Sequence, residues 1–431
     1  MLRCPDIVPI TEKHVLRYLY IFTLVIAGEM AFGLPFHTAR FFRPTLLEVF
    51  GFTNTQLGDL FAVYGVMAML CYFPGGAIAD RLSARFLLTA SLLVTACGGL
   101  YMATIPGPFQ MALLYGFWGI TTVFLFWAAL IRATREWGGK SAQGAAFGIL
   151  EGGRGVAAAV FAGLMVMVLA WHLPEDAALA TDEERRAGFQ MVILGYSAVA
   201  FAAGVLAWFV IPDPGEISAV RHNPFRNMAL VIHRPIIWVQ AAIIICAYCG
   251  YKGFDYYSLY AVQVLGMDEV EGARLASYGS YIRPFAALAA GLIADRFDAA
   301  RSIGVAFLVL AIVYIVLSMS SVESTGVATI LFNLGVSLFA VFSLRGVYFA
   351  LLQETRTPRY ITGAAVGMIS LLGYTPEIFF APIAGRILDA NPGPGGFMNL
   401  FVLLAAIVAL GVAFVVVLIR LKRNKLSYEP V

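Results

Sequence analysis

The sequence is poor in charge: Asp, Glu, Lys and Arg supply only 13% of its 431 residues, against 60% hydrophobic residues. A soluble domain carries about 25% charged residues, so a water-exposed globular fold is excluded. Mean hydropathy is +0.82. The net charge of +3 contains no basic tract, which argues against nucleic-acid binding. The five cysteines, at 4, 71, 97, 246 and 249, lie in or beside apolar segments and offer no disulfide framework. Cys246 and Cys249 form a CxxC, but within the apolar run Ile236–Ala247, where inert packing is the expected role. No His, Cys and Asp cluster has metal-ligand spacing, and no Walker motif occurs. No strand precedes Gly75-Gly76, as a nucleotide site would require. No Ser-His-Asp or paired-carboxylate arrangement lies outside apolar segments. Neither an enzyme nor a cofactor is therefore expected. A cleavable signal is also missing: Arg3, Lys13 and Arg17 precede a full-length apolar run that serves as its own insertion signal.

What is present is a repeat. Gly76-Ala77-Ile78-Ala79-Asp80-Arg81 returns as Gly291-Leu292-Ile293-Ala294-Asp295-Arg296, 215 residues later. The offset is half the chain, so two copies of one unit are expected. Each copy follows a long apolar run, a costly position for an acid-base pair unless it lies at a membrane surface.

A membrane span needs about 20 mostly apolar residues. Twelve runs qualify, near 16–38, 56–78, 86–104, 109–131, 144–171, 188–211, 236–260, 272–294, 302–319, 327–349, 360–388 and 398–419. Pro212 to Pro235 is rich in Pro, Asp, Gly and Asn and reads as a linker. The expected organisation is an all-α integral membrane protein of two pseudo-symmetric six-helix bundles, residues 1–211 and 236–431, joined by a cytoplasmic linker at 212–235. With the N-terminus inside, and residues within about a turn of a span end counted with the adjoining segment, 20 basic residues fall on cytoplasmic segments, 6 on outer segments and 3 within spans. Acids dominate the outer segments Glu175–Glu184 and Asp268–Glu271. The positive-inside rule then puts both termini and both Asp-Arg repeats on the cytoplasmic side of a bacterial inner membrane.

Twelve spans in two halves, with Gly-x-x-x-Asp-Arg after spans two and eight, resemble the major facilitator superfamily of secondary transporters. The first copy reads Gly75-Gly76-Ala77-Ile78-Ala79-Asp80-Arg81-Leu82-Ser83-Ala84-Arg85. The family usually has glycine and further basic residues near the end of this motif, which Ser83-Ala84-Arg85 matches only in part. Trp127 to Gly155 looks like bacterial members associated with sugar and organic-anion porters. The resemblance covers almost the whole chain and implies a midplane site with rocking-type alternating access. It also implies that Asp80 and Asp295 latch the cytoplasmic side in the outward-facing state. Arg132 and Arg345, 52 and 50 residues after those aspartates, are the candidate partners, worth a few kcal/mol at a partly dry helix junction. The alternative is a topology signal in which Arg81 and Arg296 anchor tight turns.

Ionisable residues far from span ends each require a partner or a role. Glu29 lies in span one, Glu151 and Arg154 in span five, Lys252 and Asp255 in span seven, Arg283 in span eight and Glu377 in span eleven. Four acids against three bases favour an interior ion-pair network. Glu151 with Arg154, and Lys252 with Asp255, are spaced i,i+3 and can meet on one helix face. Either pair can simply neutralise itself. Span five has the glycines of Glu151-Gly152-Gly153-Arg154-Gly155 but lacks the proline found there in many proton antiporters of the family. A break at Gly253 among Lys252, Asp255, Tyr256 and Tyr257 suits a discontinuous helix lining a cavity. Tyr257 and Tyr260 suit a membrane-interface belt equally well. Arg283, near Tyr278 and Tyr281 and followed by Pro284, is the leading anion contact. Glu29 has no basic neighbour at helical spacing, and a buried unpaired carboxyl can exchange a proton near neutral pH, so it leads for proton coupling. Glu377, Asp255 and Glu151 follow; Glu29 or Glu377 can instead pair with Arg154, Lys252 or Arg283 from another helix. His37, near the outer end of span one, is expected to be structural.

The resulting reading is a secondary transporter, acting as a monomer, that takes up a small organic anion or zwitterion with a proton. Arg283, Lys252, Arg154, Tyr281 and Tyr257 are the substrate candidates. Proton-driven efflux of an amphipathic compound is the rival. A transporter-like sensor is a third, disfavoured because the tail from Leu421 to Val431 is short for a signalling domain.

Overall fold

The structure, a computed structural model, describes residues 12–139, 142–213, 231–355 and 359–426, and these contain no strand. Among them nine helices are long and apolar enough to cross a membrane, ten when the bent pair Val15–Met30 and Gly33–Phe41 counts as one span. Asn54–Ala79 and the broken helix Glu269–Gly279 with Ile282–Phe297 complete twelve passes. Asn54–Ala79 has 26 residues, about 39 Å at 1.5 Å per residue, which exceeds the hydrocarbon core. The expected linker at 212–235 lies largely outside the described residues.

Successive passes run in opposite directions. The turn at Asp80–Arg81 and the turn at Asp298 therefore share one end with the outset of pass one and the finish of pass twelve. At the opposite end, three of the passes begin with reciprocal caps: Thr53 with Gln56, Thr181 with Glu184, and Asp268 with Glu271. Each satisfies two otherwise orphaned N–H groups and sets where its pass starts. The two ends are called here the Asp80 end and the Glu269 end.

Four passes are broken near half-height, each beside ionisable residues. Pass one bends by 43°, and the wide helical turn Gly33–His37 contains Pro35, which has no N–H to give. Helical structure resumes at Thr38–Phe41, beyond the expected end of the span, so Arg40 is only 7% exposed. Pass seven narrows to a tight turn at Gly253–Tyr256, the break that Gly253 announces. Pass eight is interrupted at Ser280 and Tyr281, as Pro284 conflicts with the carbonyl four residues earlier. Pass eleven restarts at Pro376, directly before Glu377.

Passes two and eleven meet near the Glu269 end with their backbones in contact. A Cβ at Gly58 would lie 2.4 Å from the Ala381 carbonyl oxygen, and one at Gly385 would lie 2.4 Å from that of Asn54. Asp389 of pass eleven accepts from the backbone N–H groups of Asn54 (3.1 Å) and Thr55 (2.7 Å), so it caps pass two from the other half. Gly58→Val is expected to lower the melting temperature in detergent more than Asp389→Ala, whose lost cap costs about 1 kcal/mol. Equal melting temperatures for Gly58→Val and the parent protein would show that this seam bears no close contact.

Candidate binding cavity

A cavity of about 1010 Å³ lies between the first six and last six passes. Its wall extends toward the Asp80 end through Arg135, Phe147, Leu292 and Leu352. At the Glu269 end the two sets of passes are tied together. Thr45 donates to Glu269 at 2.7 Å. Arg185 pairs with Glu269 at 2.5 Å and with Glu48 at 3.0 Å, and Arg386 pairs with Asp59 at 2.9 Å. The cavity therefore opens at the Asp80 end and is closed at the other.

Two charge networks stand at its base. In the first, Glu29 pairs with Arg154 at 3.0 Å and His37 at 3.1 Å, and Arg154 reaches Glu151 at 2.8 Å. Arg283, from the last six passes, pairs with Glu151 at 2.7 Å and approaches Glu29 at 3.6 Å. In the second, Asp255 bridges Lys252 and Arg40 at 2.6 Å each. Lys252 also pairs with Glu377 at 3.2 Å, and the Tyr248 hydroxyl donates to Glu377. Each network joins the two halves, through Arg283 and through Arg40.

Several expectations change. Glu29 has three cationic or polar partners from two other passes and from the far side of its own bend, so it is not an unpaired carboxyl. His37 is 1% exposed and belongs to the cavity wall rather than to an interface. Lys252 and Asp255 stand behind the wall, fully or almost fully buried. Tyr281 is 41% exposed and outside the lining, because the break before Pro284 turns it away from Arg283. Tyr257 is buried with its hydroxyl 2.6 Å from Ser337, and Tyr260 packs on Phe397 and Phe401, so neither forms an interface belt or touches the cavity. Glu151, Arg154, Arg283 and Glu377 do line it.

Arg132 takes partners other than Asp80. Arg132 donates to the carbonyls of Ala79 and Leu82 (2.8 Å to the latter) and pairs with Glu136 at 3.5 Å, clamping the turn backbone. Asp80 and Arg81 are exposed, as is Arg296. The side chain of Asp295 lies outside the described set. Arg345 lines the cavity, with its guanidinium 4.0 Å from the Tyr251 ring centre and 5.7 Å from that of Tyr248. Among the described residues it has no carboxylate within ion-pair distance. Arg40, Arg135 and Arg345 are wall residues that reading the spans alone misses. The cue for Arg40 was its single-turn distance from His37. With them the wall carries five arginines, Arg40, Arg135, Arg154, Arg283 and Arg345, against Glu29, Glu151 and Glu377. The near-neutral balance inferred from the spans becomes a positive one. Aromatic rings fill much of the remainder, including Phe32, Tyr72, Trp127, Tyr251 and Tyr374.

Residues 25–375 match the family model described as Major Facilitator Superfamily. The inner membrane protein YqcE of Escherichia coli (strain K12) is 27% identical over 412 residues, covering 93% of each chain. The inner membrane protein YihN of the same strain is 26% identical over 410 residues, covering 92% of this chain and 94% of that one. Among solved structures, a bacterial homologue of the human lysosomal transporter Spinster, in an inward-facing and occupied conformation, matches with a TM-score of 0.72 at 15% identity. That match covers 96% of this chain and 98% of the other.

Breaking the first network on one side should be worse than removing both partners. Arg154→Gln is expected to destabilise by weakening the pairing of buried Glu29. The loss stays below the about 3–5 kcal/mol of a fully stranded charge, because His37 and Arg283 remain. The double variant Glu29→Gln with Arg154→Gln is expected to recover part of that loss. A double-mutant cycle on thermal unfolding reads it; strict additivity would contradict the pairing.

Proposed function

Since this chain belongs to the major facilitator superfamily and is a membrane transporter of that kind, we propose that it carries a small organic anion or zwitterion with a proton by alternating access. The observation that carries this reading is Arg345, a cavity guanidinium held by the faces of Tyr251 and Tyr248 with no carboxylate within ion-pair distance among the described residues. A guanidinium in a partly dry cavity favours a carboxylate, phosphate or sulfonate, which it can grip through two parallel hydrogen bonds. Arg283 and Arg154 supply further donors, already shared with Glu151 and Glu29. An incoming anion competes with those glutamates for the same guanidiniums, and the energy of that exchange shifts the conformational equilibrium. Lys252 and Asp255 support the wall from behind, and Lys252 pairs with Glu377.

The positive-inside distribution supports a cytoplasmic Asp80 end, with both termini on that side. The cavity then faces the cytoplasm, and the bundles at 1–211 and 236–431 rock about the linker to expose it at the Glu269 end. On this reading an aspartate latch is released in the present state, in keeping with the exposed Asp80. The monomer is the transporting unit, in a bacterial inner membrane. A second reading, proton-driven efflux of an amphipathic compound, draws support from cavity size: 1010 Å³ is at the upper end of the usual range for small-molecule sites, and its walls are aromatic.

The test is uptake by purified protein in vesicles under an imposed proton gradient, with glucuronate, 3-phosphoglycerate, taurine and alanine as probes. Accumulation of one of these that collapses when the gradient is dissipated is expected. Arg345→Gln should weaken its binding roughly tenfold or more, as the loss of a charge-assisted contact implies. Failure with all four probes, together with export of ethidium, would replace uptake with efflux.

A further inference from the structure

The carboxylate of Glu29 is poorly placed to receive a proton. Its Oε2 faces Arg154 at 3.0 Å and Arg283 at 3.6 Å, while Oε1 lies 3.1 Å from His37 Nε2. An ionised carboxylate only accepts, so the hydrogen in the His37 contact belongs to Nε2. A neutral imidazole that donates from Nε2 keeps an unshared electron pair on Nδ1. That atom is buried and has no hydrogen-bond partner among the described residues. The ring is fixed in place: it meets Phe41 edge-on at 5.2 Å and Tyr196 at 5.8 Å, and it forms part of the cavity wall.

We infer that His37, rather than the Glu29 carboxylate, is the proton-binding site of the transport cycle, with Nδ1 as the accepting atom. A proton delivered by hydronium adds to the unshared pair and leaves water behind; no bond in the protein breaks, and the ring passes from neutral to a single positive charge. Glu29 then holds an imidazolium instead of an imidazole. The inference deepens the proton coupling proposed above and rests on it.

The neighbouring charges explain why proton and anion would travel together. Glu29, on the same pass, favours the charged ring. Arg40, one turn further on, opposes it, offset by Asp255 at 2.6 Å. Arg154 from pass five and Arg283 from pass eight oppose it as well, offset by Glu151. Tyr196 of pass six presents a hydroxyl without charge, itself lacking a partner among the described residues. Of the opposing cations only Arg283 belongs to the other half and lines the cavity. An organic anion seated on Arg283 cancels its field at the ring, so His37 charges as the substrate binds and discharges as it departs. Rocking that carries Arg283 away has the same sign of effect.

The decisive measurement needs no substrate. In full-length protein with His14, His172, His222 and His233 replaced, the 15N and 13C signals of the remaining His37 ring report its tautomer and charge. The expected results are an Nε2-protonated neutral ring, a larger charged fraction at a given pH in Arg283→Gln, and a smaller one in Glu29→Gln. Opposite shifts in two variants guard against one of them misfolding. A ring that stays neutral from pH 5 to 9 in all three proteins overturns the inference. In vesicles, His37→Gln keeps a donor toward Glu29 but loses the basic nitrogen. Exchange of the transported probe should persist, while gradient-driven accumulation falls to no excess over the outside concentration. Undiminished accumulation by His37→Gln, lost instead in Glu29→Gln, returns the proton to the carboxylate. Failure of the wild-type protein to carry any anionic probe would sink the functional reading, whereas the ring titration judges His37 on its own.

Discussion

Charge removed from water has to be matched, and in this chain much of the matching is made between the two sets of six passes. Arg283 reaches across to Glu151 and Glu29, and Arg40 reaches across to Asp255. Stripping water from a single ion costs several kcal/mol even after relaxation. Neither set of passes can move far without another partner for the charge it leaves behind. Water entering the cavity is one such partner and a bound anion is another. Under the function proposed above, the arrangement would link three events that share no atoms: motion of the halves, arrival of a solute and a change of protonation.

The broken passes follow from the same need. A straight helix places ionisable groups on fixed faces at fixed heights, whereas these groups must converge from five passes on one level. Gly33 and Pro35, Gly253, Pro284 and Pro376 each interrupt a pass next to a charged residue. Irregular backbone at membrane depth is tolerated where it is packed in protein or faces a wet cavity. Both conditions are met here, so the interruptions mark the site as much as the charges do.

The number of passes, the duplication and the break at Gly253 were legible in the sequence because each depends on local length, composition or backbone chemistry. Partners across helices were not. His37 is eight residues from Glu29, about 12 Å along a straight helix, and comes within bonding distance only because pass one bends. Arg40 fell outside span one, because the apolar run ended near residue 38. Its burial depends on Asp255 from the other half, 215 positions away. The same limit applies to Tyr257 and Tyr281. Spacing told which residues share a face with the charged groups, but not which face the cavity would occupy. Arg132 was read as an aspartate's partner from spacing alone, while the structure sets it on the carbonyls of Ala79 and Leu82; spacing likewise gave no hint of the aromatic rings beside Arg345.

The contact between passes two and eleven has one further implication. Where Gly58 and Gly385 let backbone lie on backbone, neither position puts a side chain between the two passes. Surfaces of interdigitated side chains must change rotamers to part, and each such change adds a small barrier. A joint without them separates as a smooth hinge plate does, with little internal friction. The pace of opening at the Glu269 end would then be governed by the polar ties around the seam, Asp389 on the end of pass two and Arg185 on Glu269, rather than by the packing itself.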